Sequence, residues 1–182
     1  MTKQNEQYNY IYHYSSPLGG ITLSSNGTEL NGLRFDGQKY SGDSLEKNYV
    51  EKTLPVFEET CRWLDIYFSG KVPNFTPPIA METTVFRKAV WQIMLTIPYG
   101  ETMTYGEIAK LIAKQNNLCK MSAQAVGGAV GHNSIALIIP CHRVVGTNGS
   151  LTGYAGGIDK KIKLLTLEKV DMSKFFIPKK TI

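Results

Sequence analysis

The stretch "IPCHRVVG", residues 139–146, places a thiol, an imidazole and a guanidinium side by side at Cys141, His142 and Arg143. A cysteine attacks only as its thiolate, and a free thiol with a pKa of about 8.5 is a few per cent ionised at neutral pH. A base or a positive charge beside the sulfur raises that fraction, and a third group must hold the base. His142 is the adjacent base. In extended chain neighbouring side chains point to opposite sides, so the pair can cooperate only across a sharp bend or through a water. Pro140 favours such an irregular exit from the preceding run, Ile135-Ala-Leu-Ile-Ile139, which reads as a buried strand. A cysteine there could also pack as a small hydrophobe, but no hydrophobic core requires the Pro, His and Arg around it. The candidate third group is Glu168, at the end of "IDKKIKLLTLEK", a helix expected to turn Ile158, Ile162, Leu164 and Leu165 inward. Negative charge at a helix C-terminus is mildly disfavoured. A buried imidazole would offset that; the simpler alternative is a surface glutamate paired with Lys161 or Lys169.

The elements that must position these groups fall in two halves. Tyr8, Tyr10, Tyr12 and Tyr14 alternate with Asn9, Ile11 and His13 at the period of a strand. "SPLGG" reads as a turn, "ITLSS" as a second strand, Asn26-Gly27 as a tight hairpin turn and "LNGLRF" as a third strand closed by Asp36-Gly37. After a polar loop, Pro55 opens a helix with Val56, Phe57, Cys61, Leu64 and Phe68 on its core stripe and Gly70 as its stop. The proline-rich "KVPNFTPPIAME" reads as a linker. Beyond it, Thr83 or Thr84 caps a helix burying Val85, Phe86, Ala89, Val90, Ile93 and Met94, which ends at Pro98-Tyr99-Gly100. Thr104 and Glu107 form a capping box for a helix with Ile108, Leu111 and Ile112 inward, and Ser122 caps "AQAVGGAVG". These last two helices suggest a helix-turn-helix with a longer connection than usual. Gly127-Gly128 within the second of them fits either close packing or a face kept bare for DNA. The expected organisation is α+β: a three-stranded antiparallel sheet with a helix in residues 1–78, then a mostly helical domain containing the helix-turn-helix in residues 79–182.

Charge is unevenly placed. Residues 1–80 carry 7 Lys/Arg against 9 Asp/Glu, and residues 81–182 carry 13 against 6. The second half therefore suits a polyanion, or simply a solvated surface. Three cysteines, Cys61, Cys119 and Cys141, show neither a disulfide framework nor zinc spacing and point to a reducing cytoplasm. No stretch is apolar enough to span a bilayer, and the polar start lacks a signal-peptide core. His13 and His132 read as surface residues.

Together, "FRKAVWQIMLTIPYGETMTYGEIAK", "AVGGAVGHN", "IPCHRVVG" and "GYAGGIDKKIKLLTLE" resemble the motifs of the O6-alkylguanine-DNA alkyltransferases (methylated-DNA–protein-cysteine methyltransferases), in the family's order and spacing. The resemblance implies single-turnover repair, with Cys141 taking the alkyl group from O6 of guanine, and less well from O4 of thymine, in double-stranded DNA. It implies His142 as a base acting through water, Glu168 as its orienting partner, and Asn133 as a tie between the recognition helix and the acceptor segment. Tyr105 would help rotate the nucleotide out and assist protonation of the departing base. Tyr154 would wall the pocket and Pro140 would belong to the substrate-binding residues, the amide of Ala155 would donate to O6, and the carbonyls of Cys141 and Val144 would accept from the guanine amine. A minor-groove helix-turn-helix would use the Gly127-Gly128 face. Gln124 stands where some members carry an arginine that fills the gap left by the flipped base. No cofactor, no obligate protein partner and a monomer are expected; no zinc is expected, since Cys61 is the only cysteine before Cys119. A damage sensor, a cysteine hydrolase and a transcription regulator are weaker alternatives: sensors of this kind replace the cysteine, hydrolases place the base far away in sequence, and nothing suggests a ligand domain. The repair reading expects the sulfur to be held ionised and open to an extruded base.

Overall fold

The computed structural model describes residues 9–38 and 49–179. Tyr8 and most of the polar stretch expected after Gly37 lie outside them. The chain divides into two compact units that meet in sequence between Met81 and Glu82.

The first unit begins with β1 (Asn9–Ser16), β2 (Gly19–Ser25) and β3 (Leu30–Phe35), an antiparallel meander in which Tyr12 opposes Leu23 and Ile21 opposes Phe35. Gly19, at φ +111, supplies the positive dihedral that the first turn needs. The second connection is longer than the tight turn expected at Asn26-Gly27. Ser25 pairs with Leu30, and the Asn26 side chain accepts backbone N–H bonds from Thr28 (3.1 Å) and Glu29 (2.9 Å), closing a wider loop by itself. A fourth strand, β4 (Tyr49–Glu51), pairs in parallel with β1 and gives the order β3-β2-β1-β4. Three residues are too few for a period to register, so the sheet expected to be three-stranded gains an edge. The helix α1 (Pro55–Phe68) starts on its proline and lays Val56, Phe57, Leu64 and Tyr67 into the core, where Phe57 stacks on Tyr12 at 5.9 Å. Cys61, expected in that core, is only half-buried.

The second unit is mostly helical. Thr84 caps α2 (Val85–Met94), accepting from the N–H of Arg87. The stripe is rotated from the expected one: Val85 is 89 % exposed and Trp91 is buried instead. The indole can take that place because its Nε1–H donates to the Ala129 carbonyl at 2.9 Å. Next come β5 (Met103–Thr104) and α3 (Tyr105–Gln115), whose capping box from Thr104 and Glu107 forms as expected. Ile108, Ala109, Ile112 and Ala113 face inward, while Leu111 is exposed. Ser122 caps α4 (Ala123–Gly131), which packs on α2 and α3 after a connection over residues 116–122. Beyond lie β6 (Val144–Val145), parallel to β5, and α5 (Ile158–Leu167). In α5, Leu164 and Leu165 are buried, Ile158 and Ile162 only half so, and Lys161 lies fully inside.

Replacing Trp91 by Phe should leave the Ala129 carbonyl unpaired and a void beside α4, lowering unfolding free energy by about 1–3 kcal/mol. A urea titration checks this; an unchanged midpoint would mean that the indole does not join α2 to α4.

Candidate active site

The apolar run before Cys141 is buried but is not a strand. Asn133, itself buried, donates from Nδ2 to the Ile139 carbonyl (2.7 Å) and accepts at Oδ1 from the Ile135 N–H (3.1 Å). This folds residues 135–139 back on themselves, with Ile139 N–H donating to Ile135 O at 3.0 Å. Leu137 is driven to φ +68 between an Ile138 N–H and an Ala136 carbonyl 2.8 Å apart, a tight γ-turn. Pro140, at φ −82 and ψ 68, forms an inverse γ-turn closed by the Cys141 N–H on Ile139 O. A positive φ at leucine costs about 1–3 kcal/mol, which the Asn133 clamp and burial must offset.

Cys141–Arg143 is a single 3-10 turn. This is the sharp bend that neighbouring Cys and His side chains needed. At about three residues per turn the two diverge sideways, and His142 reaches Glu168 with Nε2 to Oε1 at 2.6 Å. Glu168 caps the end of α5 and is buried with His142. Its carboxylate also accepts from Arg143 Nε (2.9 Å), Arg143 Nη2 (3.1 Å) and the Gly100 N–H (3.0 Å). Arg143 is held in turn by the Ile97 carbonyl (2.7 Å) and lies over the Tyr99 ring. Lys161, once a candidate partner for Glu168, instead donates from Nζ to Val144 O (2.6 Å) and Thr152 O (2.9 Å).

Burial alone would push the Glu168 carboxyl up, but the hydrogen bonds and charges of His142 and Arg143 outweigh it and bring the pKa down to about 2. Burial lowers the pKa of His142 more strongly than the carboxylate raises it. These two shifts are consistent if the charge pair is Glu168 with Arg143, and His142 is neutral. A carboxylate only accepts, so Nε2 carries the imidazole proton and Nδ1 is the basic nitrogen.

Cys141 is only 6 % exposed. The open, ionised sulfur expected from the sequence is therefore corrected: burial raises the thiol's pKa. Hydrogen bonding from Asn133, the charge of Lys161 and the backbone amides of Cys141 and His142 oppose that rise. Tyr105 opens α3, which the β5–β6 pairing sets beside this segment. Its hydroxyl donates towards the Thr152 (3.3 Å) and Gly153 (3.4 Å) carbonyls, and burial, with the charge of Cys141, pushes its pKa up to about 12. The Tyr154 hydroxyl is buried with no hydrogen-bond partner among the described residues, and burial followed by the charges of Cys141 and Glu168 holds its pKa high. Pro140 and Val144 are buried, and Ala155 is half-buried in the loop after Tyr154. On α4, Gln124 and Gly128 are exposed. A Cβ at Gly127 would sit 3.9 Å from the Tyr105 ring, whereas one at Gly128 would meet nothing within 4 Å. The glycine pair therefore divides its two expected uses, packing at Gly127 and an open face at Gly128.

From the sequence, Arg143 has no partner of its own and Lys161 is only a possible surface partner for Glu168. The signal for Lys161 was its place one turn before Leu164 and Leu165 on the inward stripe of α5.

The structure thus sets a buried thiol next in sequence to an imidazole that is anchored on a buried carboxylate. Residues 9–81 match the family described as 6-O-methylguanine DNA methyltransferase, ribonuclease-like domain, and residues 85–170 match its DNA binding domain. The methylated-DNA–protein-cysteine methyltransferase of Mycobacterium tuberculosis is 42% identical over 162 residues, covering 87% of this chain and 93% of that protein. The protein of the same name from Haemophilus influenzae is 40% identical, covering 88% and 87%. A crystal structure of Mycobacterium tuberculosis OGT in complex with DNA superimposes with a TM-score of 0.73 at 39% identity, covering 92% of this chain and 94% of that one. The chain belongs to the 6-O-methylguanine DNA methyltransferase family.

The network makes acid a specific threat. An unfolded Glu168 ionises near 4.5 and the folded one near 2, so its contribution is whole above pH 4.5 and lost as pH falls towards 2. His142, with a folded pKa below 6.5, is protonated first in the unfolded chain, so stability also falls as pH drops below 6.5. Glu168→Gln should cost about 2–4 kcal/mol at neutral pH, because it leaves the partly buried Arg143 without its counter-charge. It should also remove the loss below pH 4.5. Urea titrations from pH 7 to pH 3 read both effects, and a neutral substitution would show that the carboxylate does not hold the site.

Proposed function

We propose that this chain repairs alkylated DNA directly, moving the alkyl group from O6 of guanine, and less readily from O4 of thymine, onto Cys141 once and irreversibly. The observation that carries this reading is a buried Cys141 beside an imidazole whose Nε2 is fixed on Glu168 at 2.6 Å, in a member of the 6-O-methylguanine DNA methyltransferase family. His142 Nδ1 takes the thiol proton through a water. The S–C bond forms as the O6–C bond breaks, and the purine regains a proton at N1, so atoms and charge balance. The product is a thioether, a very poor leaving group. The protein reacts once and stops.

O6 inside a duplex is out of line for a protein sulfur, so the nucleotide must be turned out of the stack. In this reading α3 and α4 act as a helix-turn-helix in the minor groove, with the open surface at Gly128 meeting the backbone and Gln124 entering the gap. Gln124 can hydrogen-bond the orphaned cytosine but brings no charge. Tyr105 crowds the target phosphate and assists protonation of the leaving base. Tyr154, whose buried hydroxyl lacks a partner among the described residues, walls the pocket with Pro140. The Ala155 amide donates to O6, and the Cys141 and Val144 carbonyls accept from the guanine amine. Val144 O already takes one bond from Lys161, which leaves its second lone pair for that amine.

Incubation with a duplex carrying O6-methylguanine, followed by peptide mass mapping, should place one methyl group on Cys141 per chain. An unchanged Cys141 would remove the assignment. Cys141→Ser should abolish transfer while retaining DNA binding. His142→Gln should slow single-turnover transfer about 10²–10⁴-fold, the usual worth of a general base, and an unaltered rate would take His142 out of the mechanism.

A further inference from the structure

Lys161 is the buried charge that this mechanism leaves unused. It lies fully inside, on the same face of α5 as Leu164 and Leu165. Burying an ammonium is costly unless it is paired. Its hydrogen bonds go to two neutral carbonyls, Val144 O and Thr152 O, and among the described residues no carboxylate lies within ion-pair distance. Glu168, at the C-terminal end of the same helix, is occupied by His142 and Arg143. The remaining acidic groups of the pocket are Tyr105 from α3, Tyr154 from the loop before α5, and Cys141 from the 3-10 turn. Both phenols have raised pKa values and are neutral at pH 7. Lys161 grips the carbonyl of Val144, three residues after Cys141, so the anion available to answer it is the Cys141 thiolate. Burial raises the pKa of the thiol and lowers that of Lys161 to about 8, and the charge of each group opposes the shift of the other. Arg143, the other cation beside the turn, is spent on Glu168.

We propose that Lys161 is a positioning residue for alkyl transfer, its ammonium fixed by the Val144 and Thr152 carbonyls as the counter-charge of the Cys141 thiolate. The same two bonds tie the acceptor segment to the loop that carries Tyr154 and Ala155. This rests on the alkyl-transfer reading of Cys141. Lys161 keeps its proton throughout: the thiol proton leaves towards His142, the sulfur pair forms the S–C bond, and the pair released with O6 is neutralised by a proton on the purine.

Lys161→Gln retains hydrogen-bond donors but removes the charge, Lys161→Met removes both, and Lys161→Arg keeps the charge. In a Cys61→Ser, Cys119→Ser background, thiolate ultraviolet absorbance against pH, taken as the difference from the same protein carrying Cys141→Ser so that tyrosine ionisation cancels, reports Cys141. With Gln or Met the titration should move up by about one pH unit or more, and transfer from an O6-methylguanine duplex at pH 7 should slow about tenfold, recovering as pH is raised. DNA affinity should be unchanged, and the Arg variant should titrate close to the parent protein. Two uncharged variants keep the test from hanging on the folding of one. A Gln or Met variant that melts like the parent and leaves the thiol titration unmoved overturns the proposal, even if transfer slows, since Lys161 would then act by packing alone. Failure of the parent protein to methylate Cys141 would sink the repair reading, while the titration would still decide whether Lys161 stabilises the thiolate.

Discussion

A sulfur that is almost wholly buried has to give up its proton where burial disfavours the charge, and the second unit is organised around that constraint. Burial pushes the Cys141 thiol up, so the groups around it must supply both a place for the proton and a field for the charge. Glu168 makes the first possible. Its carboxylate is held ionised by Arg143, His142 and the Gly100 amide, which orients the imidazole through Nε2 and leaves Nδ1 basic. Neutrality of His142 is as important as its position, because a base already carrying two protons accepts nothing. Arg143 keeps the pair charge-balanced and so prevents Glu168 from drawing a second proton onto the ring.

The backbone conformation follows from the same need. A regular strand into Cys141 would turn its side chain and that of His142 to opposite faces. The γ-turns at Leu137 and Pro140, clamped by Asn133, deliver the chain into a 3-10 turn instead. Asn133 lies one residue beyond the end of α4, after the C-cap His132, so one side chain couples the helix proposed to meet DNA with the segment that carries the sulfur. The β5–β6 pairing then sets Tyr105 next to the pocket, and Gly127 gives the Tyr105 ring room against α4.

Much of this was legible from the sequence where one residue type has one strong local use. Thr104 with Glu107, Thr84 and Ser122 at helix starts, and Pro55 and Gly70 at the ends of α1 all announce their roles through backbone hydrogen bonding or fixed dihedrals. Cys141 and His142 stood out because their residue types conflict with a plain core, whereas Glu168 read as easily as a surface glutamate and was tied to them by the family resemblance. What the sequence did not disclose depended on tertiary partners. The strand expected over residues 135–139 is apolar enough, but Asn133 captures its hydrogen bonds. Trp91 displaces Val85 from the buried stripe because Ala129 offers an acceptor, a pairing across 38 residues. Lys161 carries a charge that pattern reading assigns to the surface, and only the two carbonyls waiting for it explain its burial.

The central claim is that the free protein holds a neutral His142, protonated at Nε2 towards Glu168 and basic at Nδ1, beside an un-ionised Cys141. Nitrogen-15 NMR of the His142 ring at pH 7 reads that state directly. One protonated nitrogen with a carboxylate hydrogen bond and one unprotonated, basic nitrogen is the predicted result. A ring protonated at both nitrogens, the signature of a standing thiolate–imidazolium pair, would contradict it.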